Sequence, residues 1–175
     1  DRTLFQALVA RARHDGFSKR IIQDPLTGAL SYRKLLIGSH ALGAKLAAMT
    51  QPGERVGVLL PNSNAVVVTF FALQRFGRTP AMLNFSAGPT NIASACVTAN
   101  IKLVLTSRAF IERGKLESVI ASASDKARIV FLEDVRETIG ATDKIRAFIA
   151  AKRESIARNP DDEAAILFTS GSEGA

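Results

Sequence analysis

Arg55-Val56-Gly57-Val58-Leu59-Leu60-Pro61-Asn62-Ser63 is the stretch on which the fold turns. A short run of valine and leucine stops abruptly at a proline and small polar residues, which reads as a buried strand entering a loop. The same unit recurs down the chain. Residues 65–76 have helical periodicity despite their β-branched valines, and residues 79–84 form a second apolar run. Gly88-Pro89 opens a helix over 90–99, followed by a strand at 102–106 and a helical stretch reaching Ser124. A fourth strand covers 128–132. A longer helix over 141–158 is predicted to carry Ile145, Phe148, Ile149 and Ile156 inward, and Asn159-Pro160-Asp161-Asp162 breaks it before a last strand at 164–168. Short strands joined by helix-length crossovers predict an α/β fold: a parallel sheet flanked by helices on both faces. In such sheets ligands sit beyond the carboxyl ends of the strands.

Toward the N-terminus the pattern differs. Leu4, Phe5, Leu8, Val9 and Ala12 fall at helical spacing, with Arg11, Arg13 and His14 near the end, where positive charge complements the helix dipole. Residues 20–23 and 29–30 flank Asp24-Pro25-Leu26-Thr27-Gly28, the composition of an N-terminal β-hairpin. Ser31 caps the next helix, whose apolar stripe is Tyr32, Leu35, Leu36, Leu42, Leu46 and Met49. These elements pack onto the same domain, so residues 1–175 are expected to be one domain.

Composition excludes several classes. With 47% hydrophobic and 22% charged residues, the 175-residue chain is an ordinary globular α/β sequence. The net charge of +7 is scattered, without a basic run or interleaved aromatics, which argues against nucleic acid and leaves acidic lipid, an acidic carrier protein or polyanionic ATP as fitting partners. One cysteine, Cys96, cannot form an internal disulfide and sits mid-helix as a buried structural thiol, so a cytosolic or cytosol-facing location is expected. No apolar stretch reaches the roughly 18 residues that span a bilayer. The Asn84-Phe85-Ser86 sequon is read as chance.

Other motifs fall away on inspection. Gly38-Ser39-His40-Ala41-Leu42-Gly43-Ala44-Lys45 imitates a Walker loop, but Ala44 separates the required Gly-Lys pair and the segment lies inside an amphipathic helix. His14 and His40 are too far apart and too poorly supported to bind a metal. Neither a Gly-x-Ser-x-Gly elbow nor a Gly-x-Gly-x-x-Gly after a strand occurs.

What remains is the end of the chain. The strand at 164–168 breaks into Thr169-Ser170-Gly171-Ser172-Glu173-Gly174, small hydroxyl residues and glycines whose backbone N–H groups suit phosphate oxygens. From composition alone, a simple Ser/Gly turn is an equal reading. Residues 168–174 resemble the phosphate-binding loop of the adenylate-forming superfamily, which includes acyl-CoA synthetases, luciferases and peptide-synthetase adenylation domains. That loop has two hydroxyl residues, Gly, Ser or Thr, usually Thr, then Gly, a variable residue and Pro-Lys-Gly. Residues 27–36 and 59–63 resemble the start of the family's large domain. The segments 82–88, 106–111, 114–116 and 132–134, with the Ser-Glu-Gly of the loop, are similar to one branch: the acyl-[acyl-carrier-protein] synthetase part of bacterial bifunctional 2-acylglycerophosphoethanolamine acyltransferases.

The resemblance implies that residues 1–175 are the N-terminal part of the AMP-binding (adenylation) domain, ending after the phosphate-binding loop, with no catalytic residue and no metal ligand of their own. It implies that Thr169, Ser170, Gly171, Ser172, Glu173 and Gly174 hold ATP, with Mg²⁺ as the accompanying ion. It implies a fatty acid substrate, a thiol acceptor on acyl carrier protein or coenzyme A, and a lysophospholipid served by another domain. The location implied is cytoplasmic, or peripheral on the cytosolic face of the inner membrane. Glu173 departs from the wider family's usual Thr. At about 4 Å a carboxylate and a triphosphate repel by several kcal/mol at intermediate dielectric, so Glu173 must point away or meet the phosphates through Mg²⁺. A stand-alone α/β module that binds a phosphate or other anion without chemistry is the alternative.

Overall fold

A computed structural model describes residues 2–25, 27–151 and 159–168. Two sheets are formed. The strands β1 (Arg20–Asp24) and β2 (Gly28–Ser31) make an antiparallel hairpin, with Asp24 opposite Gly28. The strands β3 (Arg55–Val58), β4 (Thr79–Met82), β5 (Leu103–Thr106), β6 (Arg128–Phe131) and β7 (Ile166–Leu167) make one parallel sheet in the order β6-β5-β3-β4-β7. The expected doubly covered parallel sheet with an N-terminal hairpin is the fold observed.

The crossovers divide the helices between the faces. Against one face lie α4 (Pro89–Thr98), α5 (Arg108–Gly114) and α6 (Glu117–Ser124), around a core that includes Leu59, Leu83, Ile92 and Cys96. Cys96 is buried, and burial pushes its thiol up. Against the other lie α2 (Tyr32–Ala47), α3 (Asn64–Arg75) and α7 (Leu132–Glu137), around Leu42, Leu46, Val56, Leu73 and Leu105. Outside that layer, α1 (Leu4–Asp15) packs Phe5 and Val9 against Tyr32 and Leu36, and α8 (Ala141–Ala150) adds Ala151, just past its end, to the same cluster.

Local chemistry explains most boundaries. Thr3 and Gln6 form a reciprocal capping box that starts α1. Ser31 accepts from the Lys34 N–H and starts α2, as its position predicted. At the far end of α2, Arg78 is buried and its guanidinium donates to the Ala47 carbonyl at 3.0 Å, the Thr50 carbonyl at 2.5 Å and Thr50 Oγ1 at 2.9 Å. Carbonyls at the close of a helix have no intrahelical donor, and this arginine supplies one. The Walker-like run lies wholly within α2. Its Gly43 permits close helix contact, since a Cβ there would stand 2.7 Å from the Ala72 carbonyl oxygen and 2.5 Å from the Phe76 ring.

Three expectations need correction. The helical stretch before Ser124 is two helices, because Lys115 takes a left-handed backbone (φ 51°) after Gly114 and the Leu116 N–H closes back on the Ile111 carbonyl. The strand predicted to reach Leu132 ends one residue sooner, and Leu132 begins α7, with Glu133 and Asp134 in its first turn favoured by the helix dipole. The third correction is the largest. Ile145, Phe148 and Ile149 of α8 point outward, each more than 60% exposed, while Ala147 is fully buried. Asp143, Ala147 and Ala151 lie four residues apart, on one stripe. The alanines let α8 approach α2, and Lys45 on α2 pairs with Asp143 at 2.8 Å. The fourth residue of the predicted stripe, Ile156, lies outside the described residues.

Candidate functional site: the carboxyl edge of the sheet

All five parallel strands end on one edge. The connections after β3 and β5 leave toward opposite faces, so a crevice opens between these two strands at the switch in strand order. On the far side of β3, the edge strand β7 pairs with β4, with Ala81 opposite Ile166 and Met82 opposite Leu167. The chain therefore leaves Phe168 at the carboxyl edge, beside the turn at residues 83–87. Phe168 and Ile166 pack against the core beneath α4. Thr169, Ser170, Gly171, Ser172, Glu173 and Gly174 lie outside the described residues.

Two residues of pairing are little to hold an edge strand, and side chains from three other elements supplement them. Arg55, at the start of β3, grips Glu163 through two hydrogen bonds of 2.9 Å. Thr79 Oγ1 donates to the Glu163 carbonyl at 3.1 Å, and the Gln74 side-chain amide donates to the Ala164 carbonyl. A bidentate arginine–carboxylate pair fixes direction as well as distance. These contacts set where the chain after β7 begins. Sequence reading missed all three, since the partners stand 84 to 108 residues apart.

Two further clamps order the loops around the crevice. Asp24, in the hairpin turn and only 4% exposed, accepts from the Asn64 N–H at 2.7 Å and the Thr27 hydroxyl at 2.7 Å. Ser63 gives no side-chain cap to α3, so an aspartate from the hairpin does that work across the structure. The Asn64 amide in turn donates to Thr27 Oγ1 and the Gly28 carbonyl. Across the crevice, Glu133 Oε1 accepts from Ser107 Oγ at 2.8 Å and the Arg108 N–H at 3.0 Å. Arg108 also forms a bidentate pair with Asp134, at 2.6 and 2.8 Å, and stacks 4.2 Å over the Phe131 ring. Its hydrogen bond holds the Asp134 carboxyl below the usual range, and Asp134 raises the Arg108 guanidinium.

The edge is braced by two fixed ion pairs, Arg55–Glu163 and Arg108–Asp134. Among the described residues, no group of three His, Cys, Asp or Glu is placed to hold a metal ion. No described helix is long and apolar enough to cross a membrane.

A family model described as AMP-binding enzyme matches residues 9–175. The chain is 25% identical over 144 residues to the long-chain-fatty-acid–AMP ligase FadD32 of Mycobacterium marinum, across 76% of this chain and 22% of that protein. It is similar in structure to VinN in complex with 3-methylaspartate, with a TM-score of 0.74 and 25% identity over 97% of this chain and 44% of VinN. It shares its fold with the O-succinylbenzoate coenzyme A synthetase MenE of Bacillus subtilis in complex with AMP, at a TM-score of 0.71 and 17% identity over 95% of this chain and 39% of MenE. The chain thus spans about a fifth of the curated relative and less than half of these two structures.

Proposed function

Because the chain belongs to the AMP-binding enzyme family, we propose that it is the N-terminal part of the adenylation domain of an ATP-dependent fatty acyl ligase. The reaction has two steps. A fatty acid carboxylate oxygen attacks the α-phosphorus of ATP, forming the acyl-adenylate as the bond to pyrophosphate breaks. A thiol, on acyl carrier protein or coenzyme A, then takes the acyl group and releases AMP. In the finer form of the proposal, the acyl group passes on to a lysophospholipid through another domain, at the cytosolic face of the membrane.

Within this chain, Thr169, Ser170, Gly171, Ser172 and Gly174 are the residues proposed to hold the ATP phosphates. Their N–H and hydroxyl groups would steady the negative charge that gathers on the departing pyrophosphate. The observation that carries the reading is the parallel pairing of β7 with β4, which brings Phe168 to the carboxyl edge one residue before that sequence. FadD32, a fatty-acid–AMP ligase by name, supports the choice of carboxylate. Glu173 is assigned an outward role, away from the phosphates.

The test is fatty-acid-dependent exchange of pyrophosphate into ATP by the full-length protein, before and after Ser170→Ala. Losing one hydrogen bond to a charged oxygen costs about 1.5–3 kcal/mol, a fall of roughly 10- to 100-fold in rate. Exchange that ignores fatty acid, or that survives the substitution unchanged, would overturn the proposal. Acyl carrier protein and coenzyme A, offered separately to the adenylate, then identify the acceptor.

A further inference from the structure

Helix α8 turns three large apolar side chains to the outside: Ile145, Phe148 and Ile149, each more than 60% exposed. Elsewhere among the described residues, large exposed apolar side chains such as Leu4, Val97 and Leu167 stand on different elements. Single exposed apolar residues are ordinary, whereas a contiguous set marks a surface that meets something. Spacings of three and four residues make the α8 set contiguous. It extends past the helix, because Phe148 and Ile149 share a shallow cavity with Phe17, Ile37 and Arg33.

The charges that border this face have one sign. At about 100° per residue, Ile145, Phe148 and Ile149 occupy an arc of roughly 100°. Lys144 adjoins Phe148 on one flank and Arg146 adjoins Ile149 on the other, both exposed. Arg33, on α2, is exposed beside the cavity. None of these three cations forms an ion pair with a described residue. The acid of α8, Asp143, lies on the inward stripe with Ala147 and is held by Lys45 at 2.8 Å, with Arg146 adding a longer-range attraction.

A helix with an apolar outer face, a cation on each flank and its remaining side fastened to protein has the build of one that lies in a bilayer surface. The apolar side chains reach the acyl boundary. Lys144 and Arg146 extend their stems and leave the charged ends among the lipid phosphates. A second copy of the chain fits worse, because a twofold contact through this face brings like cations together. We propose that the outward face of α8, bordered by Phe17, Ile37 and Arg33, docks on an anionic lipid surface. The inference rests on the membrane-face part of the proposed function and names the surface used there, but it needs no step of the ligase chemistry.

The test reads residue 148 directly. Full-length protein carrying photoreactive p-benzoylphenylalanine in place of Phe148 is irradiated with vesicles of phosphatidylcholine containing about a quarter phosphatidylglycerol, or of phosphatidylcholine alone. A lipid adduct at residue 148 is expected, about tenfold more abundant on the anionic vesicles, since each cation near such a surface contributes about fivefold. Lys144→Gln with Arg146→Gln should remove most of that preference. The same label in place of Val97, on α4 across the sheet, should give about tenfold less adduct. Ile145→Ser with Ile149→Ser should cut the adduct about tenfold at an unchanged melting temperature. That variant should keep its pyrophosphate exchange with a water-soluble fatty acid, so the lipid contact and the ligase reading can each fail alone. An adduct joining residue 148 to protein, or a lowered melting temperature for the double serine variant, would mean that protein covers the face. Either result overturns the proposal, as does no lipid adduct, equal labelling from positions 97 and 148, or equal yield on the two kinds of vesicle.

Discussion

Leu35, Leu36 and Leu46 of α2 are at most 1% exposed, whereas Ile145, Phe148 and Ile149 of α8 are 61–64% exposed. Both helices carry their apolar residues at helical spacing, and the two belong to neighbouring positions in the same face of the fold. The difference lies in what each must approach. Helix α2 lies against α3; its Leu42 and Leu46 fill the room between helix and sheet, and its Leu36 packs against Phe5 and Val9 of α1. Helix α8 meets α2 from outside through Ala147 and Ala151, where small side chains permit close contact, and its polar ties are Lys45–Asp143 and the Arg75 guanidinium on the Ala150 carbonyl. An apolar stripe says that a helix has a face to cover. Which face docks depends on the partner's shape.

The comparison is broken most directly by removing volume from α2. Leu46→Ala should cost about 2–5 kcal/mol, the transfer term plus a cavity in a close-packed core. Urea unfolding of this chain, read as a fall in midpoint at unchanged slope, measures it. Ile149→Ala removes nearly as much surface from α8 and should cost well under 1 kcal/mol. Similar losses for the two would show that α8 buries its stripe in solution.

A smaller effect tests the polar tie between the helices. Arg75 is buried between α2, α3 and α8, 4.9 Å from the Phe5 ring, and burial lowers its guanidinium to about 10. It donates to His40 Nδ1 at 2.8 Å, so that nitrogen must be unprotonated. Burial, then the Arg75 charge, lowers His40 from its ordinary 6.5. A depressed histidine means that the unfolded chain binds more protons than the folded one between the folded value and 6.5. Stability then falls as pH drops below about 6.5 and is regained above it. His40→Gln keeps an acceptor for Arg75 without titrating. The stability gap between wild type and this variant should narrow in the wild type's disfavour from pH 7 to pH 5. A gap constant across that range would refute the linkage.

Legibility followed the range of the interaction. The parallel sheet, the hairpin, the Ser31 cap and the buried Cys96 could all be read from residues within a turn or two of one another. The clamps could not. Asp24 caps α3 from 40 residues away, and Glu133 holds Ser107 from 26. One aspartate before a proline and one glutamate after a strand carry no local mark of those partners. The hairpin turn was legible as a turn, but its service to Asn64 was not. Of the candidate site, the strand that leads to residues 169–174 was read, but as 164–168 where only Ile166–Leu167 pairs, and the anchors Arg55, Gln74 and Thr79 were not. Helix α7 was missed because six residues are too few for a periodic signal.

The smallest expected effect bears hardest on the comparison. Phe148→Ser exchanges a large aromatic for a small polar side chain, which in a core would cost about 3–5 kcal/mol. On α8, with Phe148 64% exposed, most of the ring is in water before and after unfolding, and the change should fall within about 0.5 kcal/mol. The contacts it does make, in a shallow cavity shared with Phe17, Ile37 and Ile149, set the upper end of that range. The measurement is the same urea titration used for Leu46→Ala, so the two substitutions are read on one scale. A cost above about 2 kcal/mol would mean that the apolar side of α8 is covered in this chain. The Asp143–Ala147–Ala151 stripe would then be only one of two faces through which the helix is held.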